Sequence, residues 1–356
     1  MKYRNVPVAD NKEEGVNMKR LFHTQWKTVR RTTCMTLGLL SCAALLSFWS
    51  IANAENRTFS SPVLASSTAY SLEHNQFPNN ETAPVTVQQF AQQQAVALDS
   101  ANPEAHWKNA ELDFYPLGPG THSWLVQAAF EGKSIGYMII TATQQGQLKL
   151  SEYGQGEQSP YNNELLGQAL KRQHVNLAAL LSGRGELHLR YALPLLAYWK
   201  VERPNHLALY IDATNGDLLP SELPELLETD SVPFSLSIRN SSITSASASG
   251  LSAESLHLRT EFNPADNLLW ITSKPVAANR VQDVIQHSTH RELVFSANER
   301  NIIYGGPLPV SGYQLWHTDH GKESIPYVAI GGNTSVQRFV PLSTLLQDGQ
   351  FHIVKP

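Results

Sequence analysis

Cysteine is scarce in this 356-residue chain, which contains only Cys34 and Cys42. Residues 55–356 therefore have no disulfide, no thiol nucleophile and no cysteine-ligated metal site. Residues 55–356 also have no excess of positive charge. Of 27 basic and 31 acidic residues, 8 basic and 3 acidic precede residue 34, which leaves 19 against 28. This excess of nine negative charges repels phosphate backbones and disfavours nucleic-acid binding.

The first 54 residues have the pattern of an export leader. Residues 1–33 are cationic, and residues 34–54 contain no charged side chain. The uncharged run ends on Ala52-Asn53-Ala54, the small-x-small pattern that signal peptidase accepts, so we expect cleavage after Ala54. The positive charges keep the N-terminus in the cytoplasm and direct the rest of the chain across the membrane.

Two alternatives to cleavage are open. The apolar run is intermediate in length between a signal sequence and a spanning helix, so residues 34–54 are also compatible with an uncleaved membrane anchor. Leu39-Leu40-Ser41-Cys42 resembles a lipobox, although the apolar run continues beyond it. In all three cases residues 55–356 are extracytoplasmic, either secreted or anchored to the cell membrane.

The organisation of the exported part is α+β. Residues 55–84 are rich in Ser, Asn, Thr and Pro and are predicted to be a flexible tether. An α+β domain, residues 85–222, places a helix on an antiparallel meander sheet. A linker follows at residues 223–259, and a small, strongly bent, β-rich C-terminal domain at residues 260–356.

Hydrophobic periodicity and turn residues predict the individual elements. Helices are expected at residues 85–98, 162–181, 277–287 and 341–347. Strands are expected at residues 110–115, 123–130, 133–142, 147–153, 186–191, 197–202, 206–213, 217–219, 268–272, 292–297, 310–317, 327–331, 337–340 and 351–354. Asn215-Gly216 is expected to form the tight primed turn of a hairpin.

One segment carries a family resemblance. The residues Leu196-Ala-Tyr-Trp-Lys-Val-Glu202 and Leu209-Tyr-Ile-Asp-Ala-Thr-Asn-Gly-Asp-Leu-Leu219 resemble the closing hairpin of PepSY-type domains, which occur in peptidase propeptides. The resemblance covers residues 196–219. It implies an inhibitor-like or peptide-binding surface and no catalytic residue. The exported part also resembles secreted proteins of Gram-positive bacteria.

Histidine pairs are the main candidates for metal or acid-base chemistry. His287 with His290, and His317 with His320, have the H-x-x-H spacing that places two ligands on one helical face. Neither pair has an evident third ligand, so His317 and His320 are only weak metal candidates. His317 with Asp319 is compatible with a hydrolase dyad, but neither a cysteine nor a G-x-S-x-G nucleophile accompanies it.

Other polar and aromatic groups have a structural interpretation. Asp212 and Asp217 flank the Asn-Gly turn but lack the further oxygen ligands of a calcium loop, so they are expected to cap the turn. Ser311 precedes Gly312 without further signs of a nucleophile. Core packing is expected for four aromatic residues that a carbohydrate site would instead expose: Trp107, Phe114, Tyr115 and Trp124.

These observations favour an exported, non-enzymatic protein without a cofactor, which binds a peptide or a secreted peptidase. An envelope hydrolase or metal-dependent enzyme that uses the loop from His317 to His320 is the first alternative. A structural envelope component is the second. If the leader is not cleaved, the membrane is a further partner through residues 34–54.

The start of translation is predicted to lie at Met18 rather than at Met1. Lys12-Glu-Glu-Gly15 can be encoded by a purine-rich ribosome-binding sequence, and Met18 follows at a suitable distance. Met18-Lys19-Arg20 then begins a leader of ordinary length. Peptide mapping of the unprocessed precursor is expected to find no peptide from residues 2–17, and detection of one would assign the start to Met1.

Overall fold

The structure is a computed structural model that describes residues 82–118, 122–143, 145–192, 194–224, 243–244, 251–288, 290–304, 306–318, 324–331 and 337–354. The predicted leader, most of the predicted tether, Asp319 and His320 lie outside the described residues. No helix in the described ranges is long and apolar enough to cross a membrane.

The described chain alternates helices with short strands. The helices are α1 (Val85–Ala101), α2 (Asn163–Arg172), α3 (Leu177–Ala179), α4 (Ala278–His287), α5 (Asn301–Tyr304) and α6 (Leu342–Asp348). The strands are β1 (Glu111–Pro116), β2 (Ser123–Phe130), β3 (Lys133–Ala142), β4 (Leu148–Gln155), β5 (Glu186–Ala192), β6 (Leu196–Glu202), β7 (Leu209–Asp212), β8 (Ser252–Ala253), β9 (His257–Leu258), β10 (Leu293–Ser296), β11 (Leu308–His317), β12 (Ser324–Ile330), β13 (Arg338–Pro341) and β14 (Gln350–Ile353).

Eleven strands form one antiparallel sheet in the order β1-β2-β3-β4-β13-β12-β11-β10-β14, and β8 and β9 also pair with β11. Strands β5, β6 and β7 form a second, three-stranded antiparallel sheet. The mixed α+β class and the helix on an antiparallel meander are confirmed. The segments predicted as two domains, residues 85–222 and 260–356, contribute strands to the same large sheet.

Both faces of the large sheet are buried. In β2, Trp124 and Val126 pack with α1, whereas Leu125 between them packs with α2 and the three-stranded sheet. Neighbours in β12 divide in the same way, since Tyr327 joins the α1 side and Val328 the cluster that contains α4 and α6. The strands therefore have near-continuous apolar runs, as strands covered on both faces do.

The two halves of the large sheet meet where β4 pairs with β13, in a register of one residue pair, Tyr153 with Phe339. Next to it, Arg338 Nε and Nη2 each donate to an oxygen of Glu152 at 2.7 Å. The hydroxyls of Tyr137 and Tyr191 donate to the same carboxylate at 2.7 and 2.8 Å. Glu152 has no exposed surface, so this bidentate pair joins β3, β4 and β13 to β5 inside the protein.

Electrostatics in this cluster keep the two phenols neutral and the guanidinium charged. Burial, and then the charge of Glu152, raise the pKa of Tyr137 and of Tyr191 well above the usual value, so both phenols are neutral donors. Burial alone lowers the pKa of Arg338, but the charge and hydrogen bonds of Glu152 outweigh it and raise that pKa. The carboxylate thus has hydrogen-bond partners at both oxygens, as a buried charge requires.

Several predicted elements differ from the structure. Residues 268–272 form a 3-10 helix instead of a strand, because Asn267 accepts a hydrogen bond from the Leu269 amide and the Trp270 indole donates to the Pro264 carbonyl. The single helix predicted at residues 162–181 is interrupted after α2, where His174 has a φ of 55°. A left-handed residue cannot continue a right-handed helix.

The Asn215-Gly216 turn also differs from the primed turn expected. The type I′ turn that Asn-Gly favours requires positive φ at both central residues, and here only Gly216 has it. The amide of Asp212 donates to the Asp217 carbonyl at 2.8 Å across a four-residue loop. Beyond the loop the predicted strand at residues 217–219 is reduced to a single bridge between Ile211 and Leu218.

Replacing Arg338 by methionine is predicted to leave the Glu152 charge buried without its cation. Loss of one partner of a buried pair costs about 3–5 kcal/mol. Urea unfolding at neutral pH is therefore expected to show a decrease of this size in the free energy of unfolding. Lys200→Met, which removes a half-exposed surface pair with Glu202, is the control and is expected to cost less than about 1 kcal/mol. Equal unfolding midpoints for Arg338→Met and the unchanged protein would contradict the role given to this pair.

Candidate functional site

The end of β11 brings a histidine and a carboxylate together. His317 Nε2 lies 2.7 Å from Oε1 of Glu254, and the two side chains are 32% and 43% exposed. Glu254 directly follows β8, and its amide donates to the Leu315 carbonyl at 2.8 Å. The pair is half-exposed, and residues 319–323, which include the predicted candidates Asp319 and His320, lie outside the described residues. Its arrangement suits proton transfer or ligand binding.

A buried hydrogen-bond network fixes the backbone of Glu254 in this pair. Gln314 Nε2 donates to the Glu254 carbonyl at 2.7 Å, and the Tyr153 hydroxyl donates to Gln314 Oε1 at 2.5 Å. The Trp316 indole donates to the Tyr153 oxygen at 3.2 Å. Burial raises the pKa of Tyr153 well above its usual value, so its phenol is neutral and acts as a fixed structural group. The network therefore positions Glu254 beside His317.

Ser324 on β12 lies directly opposite His317 in the sheet register. Opposed residues of an antiparallel pair share one face, with about 4.5–5.5 Å between their Cβ atoms. Carboxylate, imidazole and hydroxyl are thus near each other, but within the described residues no hydrogen bond joins His317 to Ser324. Sequence reasoning missed both Glu254 and Ser324, since Glu254 lies in the predicted linker and register is not visible in a sequence.

The other predicted candidates have different surroundings. His287 is the last residue of α4 and its Nδ1 lies 3.1 Å from Asp283 Oδ1, whereas His290 lies beyond the helix. The two imidazoles therefore do not share a helical face. Ser311 is buried, and its hydroxyl accepts a hydrogen bond from Gln337 at 3.0 Å. Three of the four aromatics, Trp107, Tyr115 and Trp124, are buried, and Phe114 packs against the cluster that contains Trp107 and Trp124, which confirms core packing.

The loop between β7 and residue 218 is shaped by its polar side chains. The amide and hydroxyl of Thr214 donate to Oδ1 of buried Asp212 at 2.7 and 2.6 Å. Asn215 Oδ1 accepts from the amide of Asp217 at 2.8 Å. Asp212 is a turn-capping residue as predicted, whereas Asn215 takes the capping role expected of Asp217.

Charged residues occupy one face of the three-stranded sheet. Glu186 and His188 on β5 lie opposite Glu202 and Lys200 on β6. His188 Nε2 is 3.1 Å from one oxygen of each glutamate, and Lys200 Nζ is 2.9 Å from the other oxygen of Glu202. Strand alternation places Leu187, Leu189 and Val201 on the opposite, buried face. The sequence contains this signal as E-x-H and K-x-E, but only pairing unites the two motifs.

An apolar turn projects from the C-terminal half. Leu268, Leu269 and Ile271 belong to one 3-10 helix, and their side chains are 57%, 61% and 57% exposed. Trp270 anchors that helix, since its ring is buried against Val294 and Val354 and lies edge-on to His352 at 5.7 Å. The Ser273 hydroxyl donates to the Trp270 carbonyl at 2.8 Å. The exposed side chains are thus held on a hydrogen-bonded turn. We call them the apolar turn.

The segment with the PepSY resemblance forms β6, β7 and the following loop. Its buried residues pack against α2, as Trp199 and Ile211 do beside Leu166. Comparison of the chain with protein-family models, with curated proteins and with solved structures gave no match.

Asparagine at position 212 is predicted to stabilise the protein at neutral pH. Burial raises the pKa of the Asp212 carboxyl and outweighs the hydrogen bonds from Thr214, which lower it. With a raised pKa in the folded state, the stabilising contribution is complete below the unfolded pKa and is lost as pH rises through the folded one. Asp212→Asn keeps the oxygen acceptor without the charge.

Thermal unfolding at pH 7 is therefore expected to give a higher Tm for Asp212→Asn, with a margin that shrinks as the pH falls towards about 4. Asp217→Asn, in the same loop but exposed, is the control and is expected to change Tm little. A lower Tm for Asp212→Asn at pH 7, or a margin independent of pH, would contradict the effect of burial on this carboxyl.

Proposed function

We propose that the chain is an exported, non-enzymatic protein of the cell surface or medium that binds a peptide or a secreted peptidase. The observation that carries the proposal is the apolar turn, in which Leu268, Leu269 and Ile271 are each more than half exposed. Contiguous apolar side chains on a protein surface mark sites where another molecule binds. The leader and the PepSY resemblance of residues 196–219 direct the choice of partner to extracytoplasmic peptidases and peptides.

The construction of the apolar turn favours a protein partner. Its backbone is held by the Asn267 cap, by the Trp270 hydrogen bond to Pro264 and by Ser273, so little conformational freedom is lost on binding. Burial of apolar surface contributes about 25 cal/mol per Å². Large aliphatic side chains on a preorganised turn therefore provide a compact anchor that an apolar pocket of a partner can enclose.

The acidic balance of residues 55–356 supports the same proposal in a different way. A net negative surface repels nucleic acids and anionic lipid headgroups alike. Contact through an apolar turn does not depend on charge attraction. An acidic surface with an exposed apolar turn therefore fits a partner that has an apolar binding pocket.

An inhibition assay tests the proposal. The full chain is titrated into a panel of secreted bacterial peptidases of several catalytic classes, and hydrolysis of a quenched fluorescent peptide is followed. Inhibition of at least one peptidase is expected. Leu269→Asp is expected to weaken that inhibition about tenfold or more, because a charge must then be desolvated at the contact. Leu181→Asp, at an exposed leucine outside both the apolar turn and residues 196–219, is the matched control and is expected to inhibit like the unchanged chain.

Four outcomes would overturn the proposal. Absence of inhibition throughout the panel, or equal inhibition by Leu269→Asp, would remove the apolar turn from peptidase binding. Co-sedimentation with phosphatidylglycerol vesicles that Leu269→Asp abolishes would identify the partner as a membrane. Peptide hydrolysis by the chain alone that His317→Ala abolishes would favour the enzyme alternative, for which the His317–Glu254 pair is the supporting observation.

A further inference from the structure

We infer that the charged face of the three-stranded sheet is a binding site for a divalent transition metal such as Zn²⁺, with Glu186, His188 and Glu202 as ligands. Two positions on β5 and one on β6 supply them, and Glu186 lies directly opposite Glu202. The spacing of two residues between Glu186 and His188 keeps both side chains on one face of the strand. The site therefore follows from strand geometry and pairing and needs no loop rearrangement.

Distances between the potential ligand atoms match a metal site. His188 Nε2 lies 3.1 Å from Oε2 of Glu186 and 3.1 Å from Oε2 of Glu202, and the three ligand atoms lie within 4.8 Å of one another. With metal–ligand bonds of about 2.0–2.2 Å, tetrahedral zinc separates its ligands by about 3.3 Å. A bound ion would replace two imidazole–carboxylate hydrogen bonds, and three protein ligands leave a fourth position for water or for a partner's donor.

The ligand types indicate which ions fit. One imidazole with two carboxylates suits zinc, copper or nickel, whereas magnesium and calcium prefer sites made of oxygen alone. Neutral His188 with two carboxylates and the Lys200 ammonium gives a net charge of −1, which favours a dication. In the described part of the chain this is the one group of three such side chains whose ligand atoms are this close.

Lys200 has a separate effect on the site. Its ammonium binds Oε1 of Glu202 at 2.9 Å and leaves Oε2 directed at His188. The same positive charge repels a dication, so Lys200 orients the carboxylate but weakens affinity. Lys200 is thus a positioning residue and not a ligand.

Zinc chloride titration of the full chain, produced without a polyhistidine tag, tests the inference by calorimetry. His188→Ala and Glu186→Gln are expected to weaken binding of one Zn²⁺ by about tenfold or more, while Lys200→Met is expected to tighten it. His287→Ala is the matched control, because His287 forms an exposed pair with only one carboxylate, Asp283. It is expected to bind zinc like the unchanged chain, and millimolar Mg²⁺ is expected not to compete.

Two further readouts separate this site from adventitious binding by other histidines. Co²⁺ is expected to give the intense visible absorption of a four-coordinate site, lost in His188→Ala and retained in His287→Ala. Zinc is expected to raise Tm in the unchanged chain but not in His188→Ala, because the ion links β5 to β6. Equal zinc affinity of His188→Ala and the unchanged chain, or no zinc binding at all, would overturn the inference.

Discussion

The buried pair of Glu152 and Arg338 is the interaction on which the rest of the structure depends. It lies where the N-terminal and C-terminal halves of the large sheet meet, and there the backbone register consists of one residue pair. Two tyrosine hydroxyls also donate hydrogen bonds to the Glu152 carboxylate, and one of them comes from the three-stranded sheet. The net energy of such a pair is modest, but an unpaired charge at the same place is costly. The cluster therefore penalises any arrangement in which these four strands do not meet.

Apolar packing around this cluster explains why the protein holds its binding candidates at the periphery. The large sheet is covered by α1 on one face and by helices with the small sheet on the other. Chemistry-bearing side chains are consequently left to strand ends and uncovered faces. His317 lies at the end of β11, and His188 lies on the uncovered face of β5. Both are held by strands that are themselves fixed in the core, which limits their motion.

Local patterns predicted much of the fold. Alternation and turn residues located β2 and β3 within a residue, and helical spacing located α1, because these features depend on neighbours along the chain. The 3-10 helix at residues 268–272 was missed because an apolar run of five residues has the same appearance in a strand and in a helical turn. A side-chain cap from Asn267 and the anchoring of Trp270 decided between them.

Composition and local periodicity by themselves determined the α+β class, the confinement of both cysteines to residues 34–42, the acidic balance of the rest and most element positions, since each is a property of the chain read in order. Tertiary structure alone decided that Arg338 meets Glu152 across 186 positions, that Glu254 reaches His317 across 63, and that Glu202 joins His188 across 14. Strand register and sheet order create these contacts. Both are decided by the packing of the whole core, because a shift of one residue would move every side chain of a strand to the opposite face.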